Sequence, residues 1–464
     1  MTTNTLERPA PVAVPRLSAL LVLLTGTFIT TLDFFIVNVA IPATQRDLNA
    51  GPATIQFIVA GFGLALAAGL ITGGRLGDLY GRRRMFALGL SLFTLASLCC
   101  GLAPSAEFLV GARVAQGAAA ALLMPQVLGI VNTVYTGEHR ARAFNAYGLA
   151  MGFGGVFGQL IGGLLIKADI AGLGWRSVFL INVPVGLVAV PAALRLVPES
   201  RGNGARLDLA GTLLVSTGLV LIVLPLVEGR QEGWPLWTWL CLGAAPLVLA
   251  AFAAYQWRIG ERALVDLGLF RHRAFSVGAV IALVGQLAVA SFFFVLALYL
   301  QQGRGLSALE SGLVFLALGV GYFVSSSRAT QVAARLGRQV LAVGALTLAA
   351  GYGLLALVAT ETETGGTGWL IPGLLLAGCG MGLVMAPLPA TALNGIEPRH
   401  AASASGVVST ALQAGGAIGI AVVGVVFYAV LGTGHFTHAF VAGLAVMVGF
   451  CAVSAALVQL LPRR

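Results

Sequence analysis

Charge is what this chain has least of. Only 9% of its 464 residues are Asp, Glu, Lys or Arg, against 58% hydrophobic, and the mean hydropathy is +0.94. Soluble domains carry about 25% charged residues, so a surface this poor in charge could not hold a chain of this length in water. A multidomain soluble enzyme is therefore excluded. Cysteine is scarce as well. Cys99, Cys100, Cys241, Cys379 and Cys451 all lie in apolar runs, with no CxxC and no nearby histidine cluster, so neither a redox pair nor a thiolate metal site is indicated. His139, His272, His400, His435 and His438 fall in loops or at the ends of apolar runs. There is no GxxxxGK[ST] loop to cradle ATP phosphates, and Gly378-Cys-Gly-Met-Gly382 lies inside an apolar run without the strand a dinucleotide site needs. No HExxH, Ser/His or paired-aspartate set marks an intramembrane enzyme. The expectation is no cofactor, no metal and no enzymatic activity.

What the chain has is apolar length. A bilayer core takes about 20 apolar residues per helix, and helices satisfy their own backbone polar groups in lipid. Fourteen runs qualify: Leu17–Pro42, Ala53–Gly73, Met85–Ala103, Phe108–Val134, Ala143–Ile166, Ser177–Leu196, Leu209–Val227, Leu236–Trp257, Phe275–Leu300, Gly312–Ser327, Gln339–Ala359, Trp369–Leu393, Ser405–Val430 and Ala439–Leu460. The tenth is short unless it begins near Ala308, and Pro246 interrupts the eighth. The fold class is an all-α polytopic membrane protein. The leader Met1–Arg16 is polar and the run after it is too long for a cleavable signal.

The net charge of +10 reads as topology rather than as affinity for nucleic acid. With the N-terminus on the cytoplasmic side, 21 of the 27 basic residues fall on inner loops and ends, five fall outside (Arg46, Lys167, Arg176, Arg230, Arg304), and Arg113 stays within a span. This obeys the positive-inside rule and places both termini in the cytoplasm of a multi-pass cell-membrane protein. A weak repeat runs through the chain about 260 residues apart. Gly74-Arg-Leu-Gly-Asp78 pairs with Ala334-Arg-Leu-Gly-Arg338, and Asn132 with Arg140–Ala143 pairs with Asn394 and Pro398–Ala401. The spacing gives a leader (1–16), a six-span bundle (17–197), a two-span insert (208–257) and a second six-span bundle (275–460). Parallel repeats of this kind point to a transporter with its site between the halves.

Asp33 is the sharpest chemical feature. It sits within the first span, where a charge costs about 2.5–3.5 kcal/mol. Desolvation disfavours its ionised form, and a carboxyl poised between neutral and charged is what proton coupling requires. Arg113, near the start of span four, cannot deprotonate, so it must pair or reach for the interface. The two are the expected proton-coupling residues. The expected substrate cavity comprises Asn38, Gln116, Met124, Gln159, Phe34, Phe157, Gln286 and Phe293, although Asn38 and Gln116 also suit helix–helix hydrogen bonds. Glycines at 154, 155, 158, 162 and 163 make a flat face for close helix packing. The stretch Gly74–Arg84 reads as a gating loop, with Gly74 and Gly81 for the turn and Asp78, Arg82 and Arg83 for ion pairs. Asp208, Glu228, Glu232, Glu310, Glu361 and Glu363 read as solvated, with Glu228 and Glu310 as secondary proton-site candidates.

These residues resemble the major facilitator superfamily, and within it the 14-span drug:proton antiporter branch. Leu32-Asp33 with Asn38-Val-Ala-Ile-Pro42 is similar to that branch's span-one motif. Gly74-Arg-Leu-Gly-Asp78-Leu-Tyr-Gly81-Arg-Arg83 is similar to the superfamily loop. Arg113-Val-Ala-Gln-Gly117 is similar to the span-four motif, and Trp175–Gly186 to the stretch entering span six. Gln159 stands where the span-five motif tied to export carries proline, and Leu79 where the loop often carries a basic residue. The resemblance implies the major facilitator fold of two six-helix bundles plus two inserted helices. It also implies proton-coupled efflux of small amphipathic or cationic compounds by alternating access, with Asp33 as the proton-responsive acid and Arg113 as its partner in coupling. On that reading protonation of Asp33 favours one state, and its ionised form attracts the ligand. The expected partners are a small-molecule substrate, protons and membrane lipid, with the protein a monomer. Alternatives are a dedicated exporter of one endogenous secondary metabolite and a non-transporting receptor on the same fold.

Overall fold

A computed structural model describes residues 17–201, 207–260, 263, 265–361, 366–393, 396, 401–432 and 434–462. The leader Met1–Arg16, the Asn394 and Pro398–His400 part of the repeat, Glu363, and the basic residues Arg206, Arg262, Arg399, Arg463 and Arg464 lie outside the described residues. Fourteen helices are long and apolar enough to cross a membrane, and no strand occurs among the described residues. They are span 1 (Leu17–Asp47), span 2 (Pro52–Tyr80), span 3 (Arg82–Gly101), span 4 (Ala106–Val134), span 5 (Glu138–Ala168), span 6 (Gly174–Leu196), span 7 (Leu209–Glu228), span 8 (Leu236–Ile259), span 9 (Arg273–Gly303), span 10 (Ala308–Ser326), span 11 (Gln339–Glu361), span 12 (Thr367–Ala392), span 13 (Ala404–Leu431) and span 14 (Phe436–Val458).

Local chemistry sets the boundaries. Span 10 starts at Ala308 because Ser307 and Glu310 form a capping box: the Ser307 hydroxyl accepts from the Glu310 N–H, and the Glu310 carboxylate accepts from the Ser307 N–H at 2.8 Å. That contact makes Glu310 part of the cap of span 10. Pro246 lies inside an unbroken span 8. Span 6 also stays helical through Ile181 (φ −57°, ψ −29°), losing one backbone hydrogen bond there because Pro184 has no N–H to offer the Leu180 carbonyl.

Spans 1–6 pack on one another, chiefly 1 on 5, 2 on 4, 3 on 4 and 3 on 6, and spans 9–14 do the same through 9 on 13, 10 on 12, 11 on 12 and 11 on 14. Spans 2 and 13, and spans 5 and 10, join the two groups. Spans 7 and 8 pair, and span 7 rests on spans 2 and 13, with Leu219 against Ala67 and Ala414. Backbones approach closely at glycine. A Cβ on Gly154 would stand 3.0 Å from the Phe28 carbonyl of span 1, and one on Gly163 would stand 2.6 Å from the Ala308 carbonyl of span 10. The glycines of span 5 therefore serve two helix contacts at once.

Gly312 of span 10 meets the Gln159 carbonyl at 2.7 Å in the same sense, whereas Gly353 of span 11 meets nothing within 4 Å. Gly312→Leu is expected to wedge span 10 off span 5 and lower the melting temperature in detergent, at a cost of about 1–3 kcal/mol. Gly353→Leu should leave it unchanged, and equal melting of the two variants would contradict this packing.

Candidate functional site

Asp33 is fully buried, and its side chain turns into the first six spans. The Arg113 Nη1 donates to Asp33 Oδ2 and, at 2.7 Å, to Gln116 Oε1. Arg113 Nε donates to the Ile58 carbonyl of span 2 at 3.0 Å. The guanidinium carbon lies 4.5 Å from the centre of the Phe62 ring and 5.6 Å from that of Phe179, a cation–π setting that offsets part of its desolvation. The other carboxylate oxygen, Oδ1, accepts 2.8 Å hydrogen bonds from Gln116 Nε2 and from Asn182 Nδ2. Ser97 Oγ accepts from the same two amides at 2.8 and 3.3 Å, and the Cys100 thiol donates to Gln116 Oε1 at 3.6 Å. Four spans (1, 3, 4 and 6) thus converge on one carboxylate. Asn182 reaches it from span 6, two residues before Pro184.

A buried pair of this kind holds because neither charge has another partner of opposite sign. Arg113 Nη2 and Asn182 Oδ1 have no hydrogen-bond partner among the described residues, so the cluster is not fully saturated. Sequence reasoning singled out Asp33, Arg113 and Gln116 but missed Ser97 and Asn182. The signal for Asn182 was present, since it lies inside the Trp175–Gly186 motif. Ser97, one serine in an apolar run, gave none.

The placement corrects several expectations for the cavity. Gln116 belongs to the Asp33 cluster, not to a cavity wall. Asn38 and Gln159 both donate to the Phe35 carbonyl, at 3.0 and 2.8 Å, so Asn38 bonds within span 1 while Gln159 ties span 5 to it. Phe157 lines a separate apolar recess of about 480 Å³ with Phe28, Ala150, Phe153 and Ile161. Met124 is half-buried against the core of the first bundle. Three residues do lie at the seam between the two groups of spans. Phe34 faces Gly63 of span 2 and Gly416 of span 13, and Gln286 of span 9 borders the same glycine. Phe293 packs on Phe35 with ring centres 4.6 Å apart and stacks on Phe315.

Hydrogen bonds cross the seam near one end. Near Asp47, Gln301 donates to the Val39 carbonyl at 3.0 Å and Gln302 to Gln45 Oε1 at 2.9 Å. Along one face of span 5, a Cβ at Gly155 would touch the Phe35 ring at 3.3 Å, whereas at Gly148, two turns toward the other end, it would meet nothing within 4 Å. Phe144, a further turn along, is 39% exposed. This face of span 5 is thus covered by span 1 at Gly155 and uncovered at Gly148.

The turn between spans 2 and 3 is shorter than the sequence indicated. Gly74 and Asp78 lie inside span 2, and Gly81 alone breaks the helix, with φ at 104°. Asp78 pairs with Arg82 at 2.7 Å, and Arg82 Nη1 donates to the Gly129 carbonyl of span 4 at 3.0 Å. The Arg83 backbone N–H donates to Glu199 at 2.9 Å. Glu199, a lone acid after span 6, was not singled out from sequence. Asp208 is also not solvated. It caps span 7 through the Gly211 N–H at 2.7 Å and accepts from Gln256 at 2.6 Å. Glu228 is half-buried at the end of span 7.

Arg113→Ala leaves the Asp33 carboxylate buried without its counter-charge, at an expected cost of about 3–5 kcal/mol. Asp33→Asn keeps the shape and most hydrogen bonds and is expected to cost less. Thermal unfolding in detergent checks the order, and an Arg113→Ala protein as stable as wild type would contradict the pairing.

The model of the Major Facilitator Superfamily matches residues 23–420. The chain is 39% identical over 436 residues to a protein of Streptomyces coelicolor described as "Probable actinorhodin transporter", covering 93% of this chain and 75% of that one. It is 38% identical to puromycin resistance protein pur8 of Streptomyces alboniger (88% and 81% covered) and 35% identical to the cephamycin export protein CmcT of Amycolatopsis lactamdurans (87% and 84% covered). Among solved structures, a POT family transporter in complex with 5-aminolevulinic acid aligns with a TM-score of 0.69 at 14% identity over 96% of both chains, a likeness of fold. With a family match over nearly its whole length and fourteen membrane-crossing helices, the chain belongs to the Major Facilitator Superfamily and is a multi-pass membrane transporter rather than an enzyme.

Proposed function

We propose that the protein exports small amphipathic compounds, drugs or antibiotics, across the cell membrane in exchange for protons. The observation that carries the coupling is the sealed Asp33–Arg113 pair, the one place among the described residues where a carboxylate and a guanidinium are both wholly buried. The excess of basic residues on one set of loops supports a cytoplasmic location for both termini and for the end that carries the turn between spans 2 and 3. The two six-span bundles then rock about the central seam as rigid units, with spans 7 and 8 as an insert between them, and the protein works as a monomer.

In this reading the structure corresponds to the state after proton release. Asp33 is ionised and paired, and substrate enters from the cytoplasm toward the seam where Phe34, Gln286 and Phe293 lie. Once the bundles rock outward, a proton entering from outside neutralises Asp33 and removes the attraction for Arg113. The cluster that ties spans 1, 3, 4 and 6 together is then weakened, which favours substrate release and return. Each charge moved inward contributes about 2.3 kcal/mol per 100 mV. Because Asp33 faces Arg113 and not the seam, its effect on substrate runs through the shape of the first bundle rather than through direct contact.

A second reading is export of one endogenous metabolite. It is favoured by relatives whose names carry a single antibiotic each, among them a tetracenomycin C resistance and export protein. Cells expressing the protein are expected to accumulate less of at least one compound in a panel of lipophilic drugs and antibiotics. An uncoupler or Asp33→Asn should restore accumulation at least several-fold. Export untouched by both treatments would overturn the coupling, and export confined to one compound would select the second reading.

A further inference from the structure

We infer that Asn182 is the positioning residue that follows the proton on Asp33, turning its carboxamide to present N–H to the carboxylate and C=O to the acid. The inference rests on the proton-coupled reading above and assigns a role within it to the motif entering span 6.

The two amides around Asp33 are not equivalent. Gln116 is committed at both ends: Nε2 donates to Asp33 Oδ1 and Ser97 Oγ, while Oε1 accepts from Arg113 and from the Cys100 thiol. Turning it over would break all four contacts. Asn182 is committed at one end only. Its Nδ2 donates to Asp33 Oδ1 at 2.8 Å and to Ser97 Oγ at 3.3 Å, and its Oδ1 has no partner among the described residues although the residue is buried. A protonated carboxyl carries an O–H that must donate. When that proton sits on Oδ1, both Gln116 and Asn182 aim N–H groups at it, and only Asn182 is free to rotate and offer an acceptor.

The other groups around Asp33 cannot do this. Arg113 from span 4 is a donor only, and the Cys100 thiol from span 3 is engaged with Gln116. Span 2 contributes the Ile58 carbonyl, already accepting from Arg113, and the Phe62 ring, and span 6 adds the Phe179 ring. No other titratable side chain faces Asp33 among the described residues. The half-turn moves one proton's hydrogen bond and breaks no covalent bond. Asn182 sits in the turn of span 6 where Pro184 leaves the Leu180 carbonyl without its backbone hydrogen bond.

Removing the amide takes a charge-assisted hydrogen bond from the ionised form and a weaker neutral one from the acid. The acid is then favoured. The test is an infrared pH titration of the purified full-length protein, following the protonated-carboxyl stretch that Asp33→Asn abolishes. In Asn182→Leu, of similar volume, the midpoint is expected to move to higher pH by about one unit, and Asn182→Ala should agree with it if the leucine variant does not fold. Ser97→Ala, which touches the same amides, should move the midpoint by less than about 0.3 unit. Midpoints for both Asn182 variants within about 0.3 unit of wild type, with only the melting temperature lowered, would reduce Asn182 to a structural role and overturn the inference. A spectrum in which Asp33→Asn removes no titrating band would instead overturn the proton-coupled reading itself.

Discussion

Neither Asp33 nor Arg113 can stay charged alone where the chain puts it. Desolvation of a lone ion in a low-dielectric interior costs several kcal/mol, and the pair offsets that only through close contact and a full set of hydrogen bonds. The surroundings are built to that end. Two amides donate to the carboxylate and to the Ser97 hydroxyl beside it, and two aromatic rings with a backbone carbonyl cover the guanidinium. Because the cluster draws on four spans of one bundle, a single proton has leverage over all four.

The rest of the molecule supplies a seam between the two groups of spans and hydrogen bonds across it near one end. Near Asp47 these use neutral amides, Gln301 and Gln302, against a carbonyl and Gln45. At the same end Asp47 is held by Trp175 and Arg176, so the segment that enters span 6 clamps the end of span 1 before Asn182 reaches Asp33. At the opposite end, Gly81, Arg82 and Glu199 bind spans 2, 3, 4 and 6 of the first bundle to one another rather than to the second bundle. That arrangement fits a bundle moving as one body.

Much of this was legible in the sequence. Fourteen apolar runs gave fourteen spans, because lipid leaves a helix no other way to satisfy its backbone. The cost of burying Asp33 and Arg113 marked both as special, and their pairing followed once two helices were known to touch. What stayed hidden was rotation about each helix axis. Asp33 and Phe34 are neighbours in sequence and face different partners, Arg113 for one and the seam for the other. Gln159, Gln116 and Phe157 were placed in the cavity because they were polar or aromatic at mid-span, but polarity does not say which face of the helix a residue occupies. Glu199 and Asp208 were misread or passed over because acids beside a span end look solvated until the chain folds over them.

The central claim is that a proton taken up by Asp33 is what the exported compound is exchanged for. The most direct measurement follows both fluxes in one set of proteoliposomes. The vesicles would be loaded with a pH-sensitive dye and with a compound already shown in cells to be exported. The account predicts proton movement opposite to the compound, in fixed proportion to it, and absent in Asp33→Asn. Compound movement at full rate with no accompanying proton flux would contradict it.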